Sequence, residues 1–251
     1  MIEREQDGIR WLEFTLLADC PKIRHAVFMR QGGHSNGDFG SLNFSYSVGD
    51  RNEHVDANYA TAKSILNWDR LVRGKLEHGS RVLAINSSTE ALIGPCDALA
   101  TQIPGQALCM THADCQAAIL YDPVKHAVVN IHSGWRGNVK NIYSEAVAFM
   151  KKHYYSSPTD ILACISPSLG PEHAEFVNYK TEFPEPFWDF QIRENYFNLW
   201  EIARWQLSEA GISKHHIEIA EICTFANPDN WFSYRRTPVS GRHGTFALLA
   251  Q

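Results

Sequence analysis

The residues best suited to chemistry are Cys115 and His132, which lie in the runs His112-Ala113-Asp114-Cys115 and His132-Ser133-Gly134-Trp135-Arg136-Gly137. A thiolate and an imidazole that face each other can hold a metal ion. Between them, Gln-Ala-Ala-Ile-Leu-Tyr and His-Ala-Val-Val-Asn-Ile flank Asp-Pro-Val-Lys. This is the pattern of two apolar strands joined by a turn, with Pro123 at the turn's second position. If residues 122–125 form the turn, Tyr121 pairs with His126 and Cys115 falls opposite His132. Directly opposed residues have Cβ atoms roughly 4.5–5.5 Å apart, close enough to share one tetrahedral ion. A slip of one residue would turn one side chain to the other face.

Two ligands seldom make a tight zinc site. The remaining histidines and Asp97 are the candidates for a third, and His78 is the best placed. It precedes Gly79 and an apolar run, where the glycine would let the chain turn sharply and present the imidazole at a strand edge. His-Cys-His with an open fourth position is the pattern of a catalytic zinc rather than a closed structural one. Such an open position can bring the pKa of bound water toward ~7. Taken singly, a histidine is more often a surface or core residue, and a cysteine more often apolar filler. The spacings Cys-x-x-Cys and His-Glu-x-x-His are absent, which argues against a zinc ribbon or a zincin.

Strands are expected at 25–29, 80–86, 106–110, 116–121, 126–131, 161–166, 217–220 and 245–249. The runs 116–121 and 126–131 are apolar on both faces, as central strands are. Helical spacing predicts helices over 53–68, over 138–153 with Asn138 as cap, and over 195–210 stopped by Gly211. Residues 172–195, with Pro184 and Pro186, read as an irregular excursion. Elements interspersed without a βαβ rhythm predict an α/β fold, a mixed-sheet sandwich with helices packed on the sheets. We expect residues 1–251 to form one domain.

A formal net charge of −5 leaves no surplus of cations for general nucleic-acid binding. The mixed-charge N-terminus lacks the apolar core of a secretory signal, and no apolar run approaches the ~20 residues that span a bilayer. Six cysteines without secretory context fit reduced thiols, so the expected location is cytoplasmic and no membrane partner is expected.

Ala113-Asp114-Cys115 and Gly134-Trp135-Arg136-Gly137 resemble the laccase-domain family, once called multicopper polyphenol oxidase and now regarded as purine nucleoside phosphorylase-like. Arg30-Gln31-Gly32-Gly33, Ser41-Leu42-Asn43, His78-Gly79, Ser168-Leu169-Gly170-Pro171 and Phe232-Ser233-Tyr234-Arg235-Arg236 follow in the family's order. The resemblance implies a single α/β sandwich with a metal, usually zinc, on His78, Cys115 and His132. It implies phosphorolysis of adenosine, inosine, guanosine or methylthioadenosine, with adenosine deamination as a second activity. The expected partners are then a small-molecule nucleoside and phosphate. A polyphenol oxidase using copper, a hydrolase editing peptidoglycan precursors and a non-catalytic structural zinc protein are the alternatives. The sequence holds no His-x-His pair of the kind that multicopper sites use.

Deamination would need a carboxylate to shuttle protons, and Asp114 is nearest in sequence, either in that role or as a structural group. Arg30 and Arg136 are candidates to hold phosphate, with Asn43 as a polar contact. Trp135 fits the core better than a purine stack. The chain departs from the family at Leu76-Glu77, at His112, at Tyr59 after Asn58, at Glu172-His173 and at Ala226. His112 could itself compete as a ligand or move protons.

Overall fold

Asp122 decides how the central hairpin closes. In the computed structural model, which describes residues 1–86 and 91–250, its Oδ1 accepts from the backbone N–H of Val124 (2.8 Å) and of Lys125 (2.9 Å). His126 then adopts a left-handed φ of 50°, so Asp122 pairs with Ala127 and the turn occupies 123–126. The expected pairing of Tyr121 with His126 is therefore corrected. Tyr121 pairs with Val128, and His132 pairs with Ala117 rather than with Cys115. Moving both strands by one residue changes partners but preserves faces. Cys115, two residues before Ala117, thus lies diagonally from His132 on the same side.

The strands in chain order begin with β1 (Ile2–Gln6), β2 (Ile9–Glu13), β3 (Ile23–Phe28), β4 (Arg70–Gly74) and β5 (Val82–Ala84). Next come β6 (Ala91–Ile93), β7 (Ala98–Thr101), β8 (Gln106–His112), β9 (Gln116–Asp122) and β10 (Ala127–Ser133). The last five are β11 (Leu162–Ile165), β12 (Gln191–Arg193), β13 (Tyr196–Phe197), β14 (Ile217–Ile219) and β15 (His243–Leu249). One sheet runs β1-β2-β3-β15-β8-β4-β6 and a second runs β14-β11-β9-β10-β7-β5, while β12 and β13 form a small ribbon. Both large sheets are mixed: β4–β8 and β5–β7 are parallel, whereas β15–β8 and β10–β9 are antiparallel. As expected, β9 and β10 are central, and every residue in them is buried.

The helices are α1 (Thr15–Ala18), α2 (Asn52–Leu66), α3 (Trp135–Val139), α4 (Ile142–Tyr154), α5 (Tyr179–Glu182) and α6 (Leu199–Glu209). The sheets face each other across Val27, Leu108 and Met110 on one side and Ile119, Tyr121 and Val128 on the other. On the outer face of the second sheet, Ile142 and Met150 of α4 and Leu207 of α6 cover Leu120 and Val129. On the outer face of the first, Val55, Tyr59 and Leu66 of α2 cover Cys109 and Phe246. The result is a mixed α/β sandwich with helices on the sheets. Among the described residues no helix is long and apolar enough to cross a membrane.

The helix expected over 138–153 is two helices. Asn141, at φ 52°, breaks the run and accepts from Ser144 N–H as the cap of α4, while Asn138 is buried inside α3 and donates to Gln116. Asn198 caps α6 in the same way, and Gly211 takes the left-handed conformation (φ +98°) expected beyond its end. The stretch 172–195, expected to be irregular, instead carries the short helix α5 and strand β12, and it is packed, with Phe176, Phe183 and Phe187 around Phe197.

His25 on β3 is buried, accepts from Phe14 N–H through Nε2 at 2.7 Å and stacks on the Phe14 ring. Burial brings its pKa down from 6.5 to about 4, against the opposing pull of Glu13 and Glu218. The unfolded chain takes up that proton near 6.5 and the folded chain only near 4, so this contribution is complete above 6.5 and lost as the pH falls through that window. Urea unfolding at pH 7 and pH 4 should show His25→Gln losing about 3 kcal/mol less stability across the interval than the natural chain.

Candidate metal centre and cavities

A single carboxylate organises the site. Asp97 stands just before β7, and its Oδ2 accepts from Gly79 N–H (2.7 Å) and Glu77 N–H (3.3 Å). Its Oδ1 accepts from His78 N–H (3.0 Å) and from His132 Nδ1–H (2.9 Å). Burial alone would raise the Asp97 pKa, but the hydrogen bonds from His132 and Gly79 outweigh it and hold the group below the usual carboxylate range. With Nδ1 committed to Asp97, His132 is left to offer Nε2 outward, the arrangement by which an outer carboxylate fixes a ligand's tautomer.

The same carboxylate pins the 77–79 loop. The residue with left-handed backbone there is His78 (φ 57°), not Gly79 as the sequence suggested. Gly79 instead fits closely: a Cβ on it would stand 3.3 Å from Asp97 Oδ2 and 3.1 Å from Glu77 Oε1, so those side chains would have to yield a few tenths of an ångström. The loop delivers the His78 ring to His132, with centroids 4.9 Å apart and planes at 89°. Cys115 arrives on the bend between β8 and β9, its Sγ 4.0 Å from His78 Nε2. The ligand atoms of His78, Cys115 and His132 all lie within 4.8 Å of one another, and among the described residues this is the one such group of three. Gly134 closes the cluster from the start of α3, just past β10, where a Cβ would approach His78 Cδ2 to 2.9 Å and Cys115 Sγ to 3.0 Å.

Electrostatics suits a cation. Burial pushes the Cys115 thiol up, but the charge of His132 and hydrogen bonds from His132 and His78 bring it down to about 6. The reciprocal effect raises His132: burial opposes its charge, yet Cys115 and Asp97 lift it to about 9. A metal ion would displace that imidazole proton and meet an anionic sulfur. Two nitrogens and a sulfur form a borderline-soft donor set, which fits zinc with one position left over.

Two cavities meet at the cluster, sharing His78, Ala113, Cys115 and Tyr234. The larger, about 650 Å³, is lined by Ser45, Tyr46, Ser47, Tyr59, Arg73, Lys75 and Arg242. The smaller, about 260 Å³, is walled by Trp135, Leu169, Phe176 and Leu199, with Arg136 and Arg235 beside them.

The other sequence-selected residues are placed as follows. Asp114 lines the smaller cavity, but its Oδ1 accepts from the Thr224 hydroxyl (2.7 Å) and its Oδ2 from Arg235 N–H (2.6 Å), so it braces the C-terminal segment. Arg136 lines the smaller cavity and stacks on Trp135 at 4.0 Å. Trp135 also packs on Phe176 and Phe183. Arg30 lines neither cavity; its guanidinium donates to Gly40 O and Pro228 O. Asn43 is fully buried, donating to Asp50 and to Ser45 O while accepting from Ser45 and Arg242 N–H. His112 lines the larger cavity outside the donor cluster, bonded to the Thr245 hydroxyl at 2.8 Å, and burial holds its pKa well down. Sequence reasoning did not single out Arg73, Lys75, Tyr46 or Arg242 for the site, because no local motif ties them to the cluster. Asp97 was weighed only as a ligand, and its position 35 residues from His132 gave no sign of its bracing role.

Fold and site together define a laccase-like mixed α/β sandwich built around a His-Cys-His cluster. The chain belongs to the multi-copper polyphenol oxidoreductase laccase family, whose model matches residues 24–250. It is 32% identical over 254 residues to a protein of Bacteroides thetaiotaomicron named purine nucleoside phosphorylase, covering 93% of this chain and 94% of that one. A Haemophilus influenzae protein of the same name is 29% identical over 236 residues, covering 89% of this chain and 93% of that one. The crystal structure of the Bacillus licheniformis hypothetical protein YfiH superposes with a TM-score of 0.89 at 26% identity, covering 98% of each chain. That of YlmD from Geobacillus stearothermophilus also gives 0.89, at 25% identity, covering 99% of this chain and 98% of that one.

Two substitutions separate assembly of the cluster from the fold. For an added divalent ion titrated against a chromophoric chelator, Asp97→Asn should weaken uptake by the cluster about 10–100-fold, because His132 loses its anionic partner. Gly134 has φ −77° and ψ 176°, a conformation alanine adopts freely. Gly134→Ala should therefore weaken uptake of the ion about tenfold or more while the circular dichroism spectrum stays native.

Proposed function

We propose that this chain is a zinc-dependent purine nucleoside enzyme that transfers the ribosyl group of adenosine, inosine, guanosine or methylthioadenosine to phosphate. The observation that carries the reading is the position of the His78-Cys115-His132 cluster at the junction of an apolar and a cationic cavity. Relatives spanning nearly the whole chain carry the name purine nucleoside phosphorylase, which supports it. In phosphorolysis the C1′–N9 bond breaks, a phosphate oxygen bonds to C1′, and the purine leaves with its nitrogen protonated.

The chain's residues divide this work by polarity. Trp135, Phe176, Leu169 and Leu199 offer an apolar enclosure to the flat base. Arg136 in the smaller cavity offers a guanidinium fork to phosphate oxygens, and Arg242 in the larger, with Nη1 donating to Ser240 O and Gly241 O, offers its remaining N–H groups. Asp97 holds His132 and the His78 loop in place. Zinc on His78, Cys115 and His132 would supply Lewis acidity, and with water as the acceptor it would favour the second reaction, deamination of adenosine at C6. Arg30 and Asn43 act at one remove in this reading, by shaping the loop that carries Ser45, Tyr46 and Ser47. Asp114 does likewise for the segment bearing Tyr234 and Arg235.

The family's description speaks of copper and phenols, whereas these relatives are named for nucleoside cleavage. One group of three donors among the described residues gives room for a single ion rather than several coppers, which favours the nucleoside reading. Purified protein carrying one zinc should release purine base from nucleosides only with phosphate present, and ammonia from adenosine. Cys115→Ala should reduce both by about 100-fold or more as the metal is lost. Absence of both products from the zinc-loaded natural chain would refute the proposal.

A further inference from the structure

The cationic cavity continues past the point where the proposed reaction needs it. Arg73 on β4 pairs with Cys109 on β8, three residues before His112, where β8 ends and the bend to Cys115 begins. At about 3.3 Å per residue, Arg73 enters the cavity roughly 10 Å along the strand from that end. A phosphate poised to attack C1′ must lie within about 3–3.5 Å of it. With the ribose at the cluster, Arg73 thus enters the cavity farther back than Lys75, which stands two residues nearer the cluster end of the strand.

The Arg73 guanidinium is nevertheless prepared for an anion. It lies over the ring of Tyr46 at 4.5 Å and that of Tyr59 at 5.4 Å, and the two rings stack on each other at 11°. Tyr59 is fixed by its hydroxyl, which donates to Phe44 O at 2.7 Å, and Tyr46 by its own, which donates to Asp56 at 2.6 Å. Asp56 is thereby committed to a hydroxyl. Among the described residues no carboxylate lies within 4.0 Å of Arg73, and none accepts a hydrogen bond from it. Lys75 lines the same cavity two residues further on, and its amino group likewise has no acid partner among the described residues. A guanidinium braced on aromatic faces, with no acid partner among the described residues, is suited to bidentate capture of a phosphoryl group.

We propose that Arg73 and Lys75 form a receptor for a phosphoryl group carried on the far end of the substrate, so that this chain accepts purine nucleoside 5′-monophosphates as well as nucleosides. The inference rests on the nucleoside reading above for the position of base and ribose. It adds a contact that distinguishes a charged substrate from a neutral one. Free phosphate shares the chemistry of the terminal group, and the two sources are separable by experiment.

Isothermal calorimetry on the zinc-loaded protein would measure inosine, inosine 5′-monophosphate and inorganic phosphate separately, so that no acceptor is present with the nucleoside, for the natural chain, Arg73→Gln and Arg73→Lys. The monophosphate should bind about tenfold or more tightly than inosine to the natural chain. Arg73→Gln should remove that advantage while the inosine constant moves less than about twofold, and Arg73→Lys should restore part of it. An advantage that survives Arg73→Gln, or the absence of one in the natural chain, would overturn the proposal. So would a loss confined to inorganic phosphate, which would assign Arg73 to the free anion. Because binding is read without turnover, the anion receptor and the proposed reaction can fail independently.

Discussion

The Asp97 carboxylate, buried and surrounded by four N–H donors, is the contact on which the site depends. Removing a charged group from water is costly unless each lone pair finds a donor. Three backbone amides and one imidazole meet that demand here. They come from two chain segments that no regular element joins, the 77–79 loop and the end of β10. Satisfying one buried charge therefore brings His78 to His132.

The sandwich sets the conditions for that contact. Two mixed sheets pack face to face, and helices cover their outer surfaces, so β9 and β10 run through the interior. Their ends open at one edge, where the β8–β9 bend carries Cys115 and the start of α3 carries Gly134. The bend is fixed by Asp114, which reaches across to Thr224 and Arg235. Rigid strands below and a cross-braced loop above give the donor atoms a fixed spacing without using a ligand to hold the backbone. The meeting of an apolar and a cationic cavity at this edge follows from the same geometry. The aromatic excursion packs on one side of it, and the loop after Asn43 packs on the other.

The family description and the names of the relatives pull in different directions, one toward copper oxidation and the other toward nucleosides. The chemistry of this chain's residues bears on that tension. A thiolate and two imidazoles within 4.8 Å make a compact site for one ion. The surrounding walls separate into an apolar enclosure of Trp135, Leu169, Phe176 and Leu199 and a wall carrying the cations Arg73, Lys75 and Arg242.

Much of this was legible in the residues. Alternation, turn chemistry and doubly apolar runs placed eight strands and identified β9 and β10 as central. Cys115 and His132 stood out because one hairpin carries both. The details that failed were those set by single side chains. Asp122 capped the turn and moved the pairing by one residue on each strand, and Asn141 split a helix whose apolar spacing ran on unbroken. Strands β1, β2, β4, β6, β7, β12 and β13 carry no such signal because their residues are charged, short or mixed, and they become strands by pairing with neighbours; β13 thereby takes Tyr196–Phe197 from the helix expected over 195–210, which begins at Leu199. The sequence by itself determined the layered class, the central hairpin and the placement of Cys115 and His132 on one face of it, since these rest on local periodicity. Tertiary structure alone decided the bracing role of Asp97, the glycine at 134 and the cationic wall of Arg73 and Arg242. Those residues act across the gap between segments far apart in the chain, where a buried charge or a missing Cβ matters only once the segments have met.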